Sequence, residues 1–229
     1  QEQEGYTVPI SLETMHSVAA IGAGGKTTAL GRLAVAHRQR RVLLTTTTRI
    51  RPYPDTVCDR LLIDPTPQEL VEALAQPGVT CAGCTSQEGK LRALSPELLE
   101  LGCEKAQLVL YEADGAKMLP LKLHRSFEPV ILPNTDLCLV VAGLSAVDRP
   151  VAECVHCYQL CPDWAEHPQH TVDTSDVLYC IQDTMDAAGL PLDKYHVLLT
   201  QADTPRRQQV AAQVKEVLSA RGISCTICP

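Results

Sequence analysis

The sequence predicts an α/β fold with a mostly parallel sheet and helices on both faces. Short apolar runs alternate with helical stretches along the whole chain. Each run is near-continuously apolar instead of alternating, the pattern of a strand buried on both sides. The first run also ends in a glycine-rich turn that opens straight into a helix. A length of 229 residues suits one large domain.

The elements follow in order. Ser17 to Ile21 (SVAAI) is a strand that stops at Gly22. Thr27 to Arg38 places Leu30, Leu33, Ala34 and His37 at helical spacing. Arg41 to Leu44 is the second strand. Pro67 to Gln76 reads as a short helix closed by Pro77-Gly78. Ser95-Pro96-Glu97 starts another helix, with serine as cap and proline at the first helical position. Gln107 to Tyr111 (QLVLY) and Thr135 to Ala142 (TDLCLVVA) are buried-type strands. Thr174 to Ala188 is a helix that Gly189 ends. Tyr195 to Thr200 (YHVLLT) is a strand, Thr204-Pro205 opens a helix to Arg221, and Ile223 to Ile227 is the last strand. Cys81 to Leu94, with Gly83 and Gly89, reads as a hairpin or edge insertion, so the single domain carries a small insertion at about 79–94. Leu144 to Val172 reads as a long loop with a short helix, and Gln1 to Ile10 as a polar, frayed start.

Composition excludes several classes. A net charge of -7 repels phosphate backbones, which disfavours general nucleic-acid binding. Eight aromatic residues leave few platforms for stacking bases. No apolar run approaches the ~20 residues that span a membrane. The first residues lack a basic segment followed by an apolar one, so no secretion signal is expected. Eleven cysteines, an odd number, argue against a complete disulfide framework and for a reducing, cytoplasmic setting.

The strongest motif is Gly22-Ala23-Gly24-Gly25-Lys26-Thr27-Thr28 between the first strand and the first helix. The usual phosphate loop is glycine, four residues, then Gly-Lys-Ser/Thr. Ala20 stands where that pattern has its first glycine. Glycines let backbone N–H groups turn inward around phosphate oxygens, and the helix aims its positive end at the same anion. Lys26 is then placed for the β- and γ-phosphates, the Thr27 hydroxyl for Mg²⁺ and Thr28 for the α-phosphate. This reads as a nucleotide-phosphate site, with ATP or GTP as ligand and Mg²⁺ as cofactor.

Four further groups join it. Glu112 and Asp114 follow the strand QLVLY, where a carboxylate holds Mg²⁺ or activates a nucleophile. Thr46, Thr47 and Arg49 follow the second strand and are candidates for phosphate or substrate. Gln201 and Asp203 lie at the end of a late strand, where GTPases carry Asn-Lys-x-Asp to read guanine. Here Thr200 and Gln201 depart from that pattern, and the base stays open. Lys117, Lys122, His124 and Arg125 form a basic cluster suited to an anionic substrate.

In this order and spacing, GAGGKTT, VLLTTTTRI (42–50) and EADGAKMLPLK (112–122) resemble the YqeC family. The later Glu128-Pro129-Val130-Ile131 and Val141-Ala142-Gly143-Leu144 are also similar to it, over about Val18 to Asp203. The family is described as an accessory factor of selenium-dependent molybdenum hydroxylases. The resemblance implies a P-loop NTPase-like fold and a role in maturing such an enzyme, with the hydroxylase or other maturation factors as partners. This chain departs from it at His156-Cys157, where His-Arg is expected, and at Thr200-Gln201, where Asn-Gln is expected.

The cysteines include three pairs at Cys-x-x-Cys spacing, and Cys154, Cys157 and Cys161 stand near His156, His167 and His170. Such spacing suits a metal or a reactive thiol. Core filling is the competing reading, and zinc is not expected. Three functions compete: an NTP-hydrolysing or phosphoryl-transferring enzyme, a nucleotide-gated binding protein or chaperone without turnover, and a thiol-based carrier of selenium or metal.

Overall fold

The computed structural model describes residues 7–229. In chain order its elements are β1 (Ser17–Gly22), α1 (Lys26–Ala36), β2 (Arg41–Thr46), β3 (Arg49–Ile50), β4 (Arg60–Ile63), α2 (Pro67–Ala73), β5 (Gly78–Thr85), β6 (Leu91–Arg92), α3 (Pro96–Lys105) and β7 (Leu108–Glu112). There follow β8 (Leu121–Lys122), β9 (Leu137–Gly143), α4 (Val151–Cys154), β10 (Val155–His156), α5 (Pro162–Glu166), α6 (Thr174–Ala188), β11 (Tyr195–Thr200), α7 (Pro205–Ala220) and β12 (Ser224–Ile227).

One sheet runs in the order β12-β11-β9-β1-β7-β2-β5-β6-β3, with β4 also paired to β5. The strands from β12 to β5 pair in parallel, and β6 returns antiparallel to β5 and β3. Side chains alternate between the two faces, as the pleat requires. Ala19 and Ile21 of β1 and Val140 of β9 enter one core with α2, α6 and α7. Val18 and Ala20 of β1 and Leu139 of β9 enter the other, covered by α1 with Val8, Leu12 and Tyr53. The helix cover is therefore unequal: several helices lie on one face and α1 on the other.

β1 lies between β7 and β9, and the chain leaves β1 for β2 on one side and reaches β9 on the other. Open α/β sheets hold ligands beyond the carboxyl ends of the strands at such a reversal. That edge is where β1 meets the glycine-rich turn.

Several expectations change here. The stretch around 79–94 divides: Gly78–Thr85 is an interior strand, buried from Gly78 to Gly83 and flanked by β2 and β4. Only its tail forms the expected hairpin, with Leu91–Arg92. Its small, mixed residues (GVTCAG) hide a buried strand from a reading by hydrophobicity. β4 is an element the sequence reading lacks, because Leu61 and Ile63 stay exposed. The segment from Leu144 to Val172 holds α4, β10 and α5, and Trp164 of α5 packs edge-on against Tyr179 of α6 at 5.4 Å. The start expected to fray contains buried Val8, while residues 1–6 lie outside the described residues. Among the described residues no helix is long and apolar enough to cross a membrane.

Candidate functional site

The turn after β1 is three residues long, Ala23 to Gly25, before α1 begins at Lys26. Ala20 is not its first residue. It sits inside β1, paired with Glu112 on one side and Leu139 on the other. The backbone explains the glycines. Gly22 and Gly24 both have φ of 91°, and a Cβ on Gly24 would stand 2.5 Å from Gly143 Cα. Only glycine fits that approach. Gly25 is the N-cap of α1 and supplies no capping side chain. The first-turn amides of α1 thus lack both an intrahelical acceptor and an acidic side chain, which leaves a positive helix end. Two loop amides are already used: Gly22 N donates to Asp114 Oδ2 at 2.9 Å and Ala23 N to Val141 O at 2.9 Å.

β7 brings the carboxylates to the same edge. Asp114 is buried and accepts from Gly22 N, Lys26 Nζ, His124 Nε2 at 2.6 Å and Lys122 Nζ at 3.3 Å. Burial alone would raise its carboxyl, but Lys26 foremost, then His124 and Lys122, hold it well below the usual carboxylate range. Glu112 is different. Its Oε1 accepts from the Thr27 hydroxyl at 2.5 Å and the Tyr53 hydroxyl at 3.5 Å. Burial pushes its carboxyl up, against the opposing pull of Lys26 and Thr27. Two carboxylates two residues apart thus have opposite character. Asp114 is a fixed anion whose oxygens are taken up by donors. Glu112 is a buried carboxyl facing a hydroxyl.

The basic cluster separates in the same way. Lys122 is not exposed to substrate. Its side chain is fully buried and donates to Gly115 O at 2.7 Å, Glu128 Oε1 at 3.0 Å and Asp114. Lys117 stands on an exposed turn in left-handed backbone, φ 47°. His124 bridges two carboxylates, Asp114 and, through Nδ1 at 3.0 Å, Asp183 of α6. Burial lowers the His124 imidazole, but its bonds to Asp114 and Asp183 raise it overall.

The threonine run is also redirected. Thr46 Oγ1 donates to Glu112 O at 3.0 Å, and Thr47 Oγ1 to Val130 O at 2.7 Å. Both hydroxyls are engaged by backbone carbonyls and tie loops together, while Arg49 of β3 is exposed. Gln201 lies beside the glycine loop but its Oε1 accepts from Ser145 Oγ at 2.5 Å. Asp203 is exposed and pairs with Arg207 one helical turn on. Thr200, unassigned by the sequence reading, donates to Gly24 O at 2.5 Å and so joins the end of β11 to the loop.

Cys154, Cys157 and Cys161 do not converge. Cys154 Sγ donates to Pro150 O at 3.1 Å, and burial pushes its thiol up to about 11. Cys157 Sγ lies 3.4 Å from His156 Nε2. Among the described residues no group of three or more His, Cys, Asp or Glu side chains is placed to hold a metal ion. The residues that the sequence reading missed are Tyr53 and Asp183. Tyr53 is an ordinary loop aromatic in sequence, and Asp183 one polar position on an amphipathic helix. Neither carries a local signal, because each acquires its role from a partner 59 residues away.

Fold and site together define a parallel α/β domain with a glycine-rich loop, a buried lysine–aspartate pair and a second carboxylate at the switch point of the sheet. The profile of a family described as YqeC protein matches residues 18–159. The uncharacterized protein YqeC of Escherichia coli (strain K12) is 29% identical over 178 residues, 72% of this chain and 67% of that protein. The chain belongs to the YqeC family.

Proposed function

We propose that this protein binds a nucleoside triphosphate at the Gly22–Thr28 loop and carries out Mg²⁺-dependent hydrolysis or phosphoryl transfer. The observation that carries this reading is the pairing of an uncapped helix start with Lys26, Thr27 and Glu112 at one sheet edge. Backbone amides and a helix N-terminus suit phosphate oxygens. Lys26 is held by Asp114, and an anion at the loop would compete for it. Lys122 and His124 would then keep Asp114 compensated.

Hard oxygen donors suit Mg²⁺, and Thr27 Oγ1 and Glu112 Oε1 fit that role. Asp114 does not, since its oxygens already accept from four donors. When bound, the ion would neutralise developing charge on the phosphates. It would also offset the burial that now raises the Glu112 carboxyl. The strand order and the joining of β11 to the loop by Thr200 support a P-loop NTPase-like fold with the base near Gln201 and Asp203. Eleven unpaired cysteines support a cytoplasmic setting. The family resemblance adds the client: a selenium-dependent molybdenum hydroxylase under maturation.

Phosphate release from ATP and GTP tests the reaction. Wild type should turn over at least one of them with Mg²⁺ and stop with EDTA. Glu112→Gln should lower the rate by 100-fold or more. A folded wild type that binds nucleotide yet releases no phosphate, alone or with an acceptor, would leave a nucleotide-gated binding protein as the better account.

A further inference from the structure

The basic cluster after Asp114 has two halves, and only one of them serves the buried site. Lys122 and His124 belong to that site: Asp114, Glu128 and Asp183 take up their charge. Lys117 and Arg125 are exposed, and among the described residues no hydrogen bond or ion pair engages either side chain. The buried half balances its own charges. The outer half leaves two cations without a carboxylate partner.

A third side chain joins them from a distant part of the chain. β10 pairs in parallel with β8 and sets His156 beside Lys122, and Leu123 N donates to His156 O at 2.9 Å. The His156 ring is half-buried, and its Nε2 lies 3.4 Å from Cys157 Sγ. Its Nδ1 is left for a ligand. Burial foremost, then Lys122, Lys117 and Arg125, lower the His156 imidazole, against the opposite pull of Glu128. One ring thus feels three cations, two of them exposed. In a chain of net charge -7 this is a local excess of positive charge.

The cluster adjoins the phosphate loop. Lys122 Nζ lies 3.3 Å from Asp114 Oδ2, and Asp114 holds Lys26 through its other oxygen. Pro120 O, between Lys117 and Lys122 in the chain, accepts from Gly143 N at 2.8 Å, and Gly143 packs against Gly24. The segment that carries Lys117 is therefore anchored on the glycine loop.

We infer that Lys117, Arg125 and His156 form a binding site for a doubly charged oxyanion, such as a phosphate ester, and that it anchors a second substrate beside the nucleotide. Two surplus cations match a dianion. The Arg125 fork suits two of its oxygens, and Lys117 adds a point charge. The oxyanion site stands on its own geometry. Its use for a second substrate rests on the nucleotide reading of the neighbouring loop.

Inorganic sulfate, doubly charged near neutral pH, is the probe. The imidazole C–H resonance of His156, assigned by its loss in His156→Gln, is followed against pH by NMR in the full chain. Sodium sulfate should raise its titration midpoint by about 0.5 pH unit or more over sodium chloride at equal ionic strength, since a bound anion favours imidazolium. Matched ionic strength removes simple screening of the cations. Lys117→Ala and Arg125→Ala should each weaken the response to sulfate about threefold or more, and the double variant should lose it. Melting temperatures within a few degrees of wild type would show that these variants are folded. Lys26→Ala should respond to sulfate like wild type. Equal midpoints in sulfate and chloride, a response kept by the folded double variant, or a response lost in Lys26→Ala would overturn the inference. A sulfate response as predicted, in a protein that binds neither MgATP nor MgGTP, would sustain the oxyanion site and reject the nucleotide reading and the second substrate with it.

Discussion

At the scale of the residue, Asp114 is the pivot of the buried site. Its negative charge is balanced by Lys26, Lys122 and His124, and each of these has a different second role. Lys122→Met would leave Asp114 and Glu128 short of a cation, a change that costs about 3–5 kcal/mol for a broken buried pair. Chemical denaturation should show a loss of that size, with Lys122→Arg recovering part of it. His124 gives a pH signature. Its folded value is raised by Asp114 and Asp183. Its stabilisation is therefore fully present below the ordinary histidine value of 6.5 and fades as pH rises through the higher folded value. The melting-temperature gap between wild type and His124→Gln should be widest near pH 5.5 and narrow by pH 8.5. A gap that widens with pH would contradict the bridging arrangement. Lys26, Glu112 and Asp114 were legible in the sequence because they stand in motifs with fixed spacing. Lys122 was legible as a cation and assigned to an anionic substrate, since sequence shows charge but not the three acceptors that allow a lysine to be buried.

At the scale of the element, the strands and long helices follow from apolar runs and caps, and the structure returns most of them within two or three residues. Thr204 caps α7 by accepting from Arg207 N, with Pro205 at the first position, as the sequence signals. Thr204→Ala should cost about 1 kcal/mol. That corresponds to a fall of about 2–4 °C in melting temperature for a domain of this size. The glycine loop is less forgiving. A methyl on Gly24 would strike Gly143 backbone atoms, and its left-handed φ adds strain of about 1–3 kcal/mol. Gly24→Ala should lower stability and nucleotide affinity together. β4 and β5 were not legible, for opposite reasons. β4 exposes apolar residues at the sheet margin, so it lacks a buried run. β5 is buried but built of glycine, threonine, cysteine and alanine, which read as a turn-rich segment.

At the scale of the whole molecule, parallel pairing and the alternation of strand with helix were legible, while the strand order was not. Order is set by which strand meets which over long sequence distances, and no local pattern encodes it. That order puts β1 between β7 and β9, and so gathers the glycine loop, Glu112 and the end of β11 at one edge. An acidic chain of net charge -7 thereby gathers Lys26, Lys122 and an uncapped helix start at a single place. The central claim is that this place binds a nucleoside triphosphate, and calorimetric titration of MgATP and MgGTP into wild type and Lys26→Ala tests it most directly. The account predicts one site per chain in wild type for at least one of them and a loss of at least tenfold in affinity in Lys26→Ala. No heat of binding for either nucleotide with folded wild type, or equal affinity in the two proteins, would contradict it.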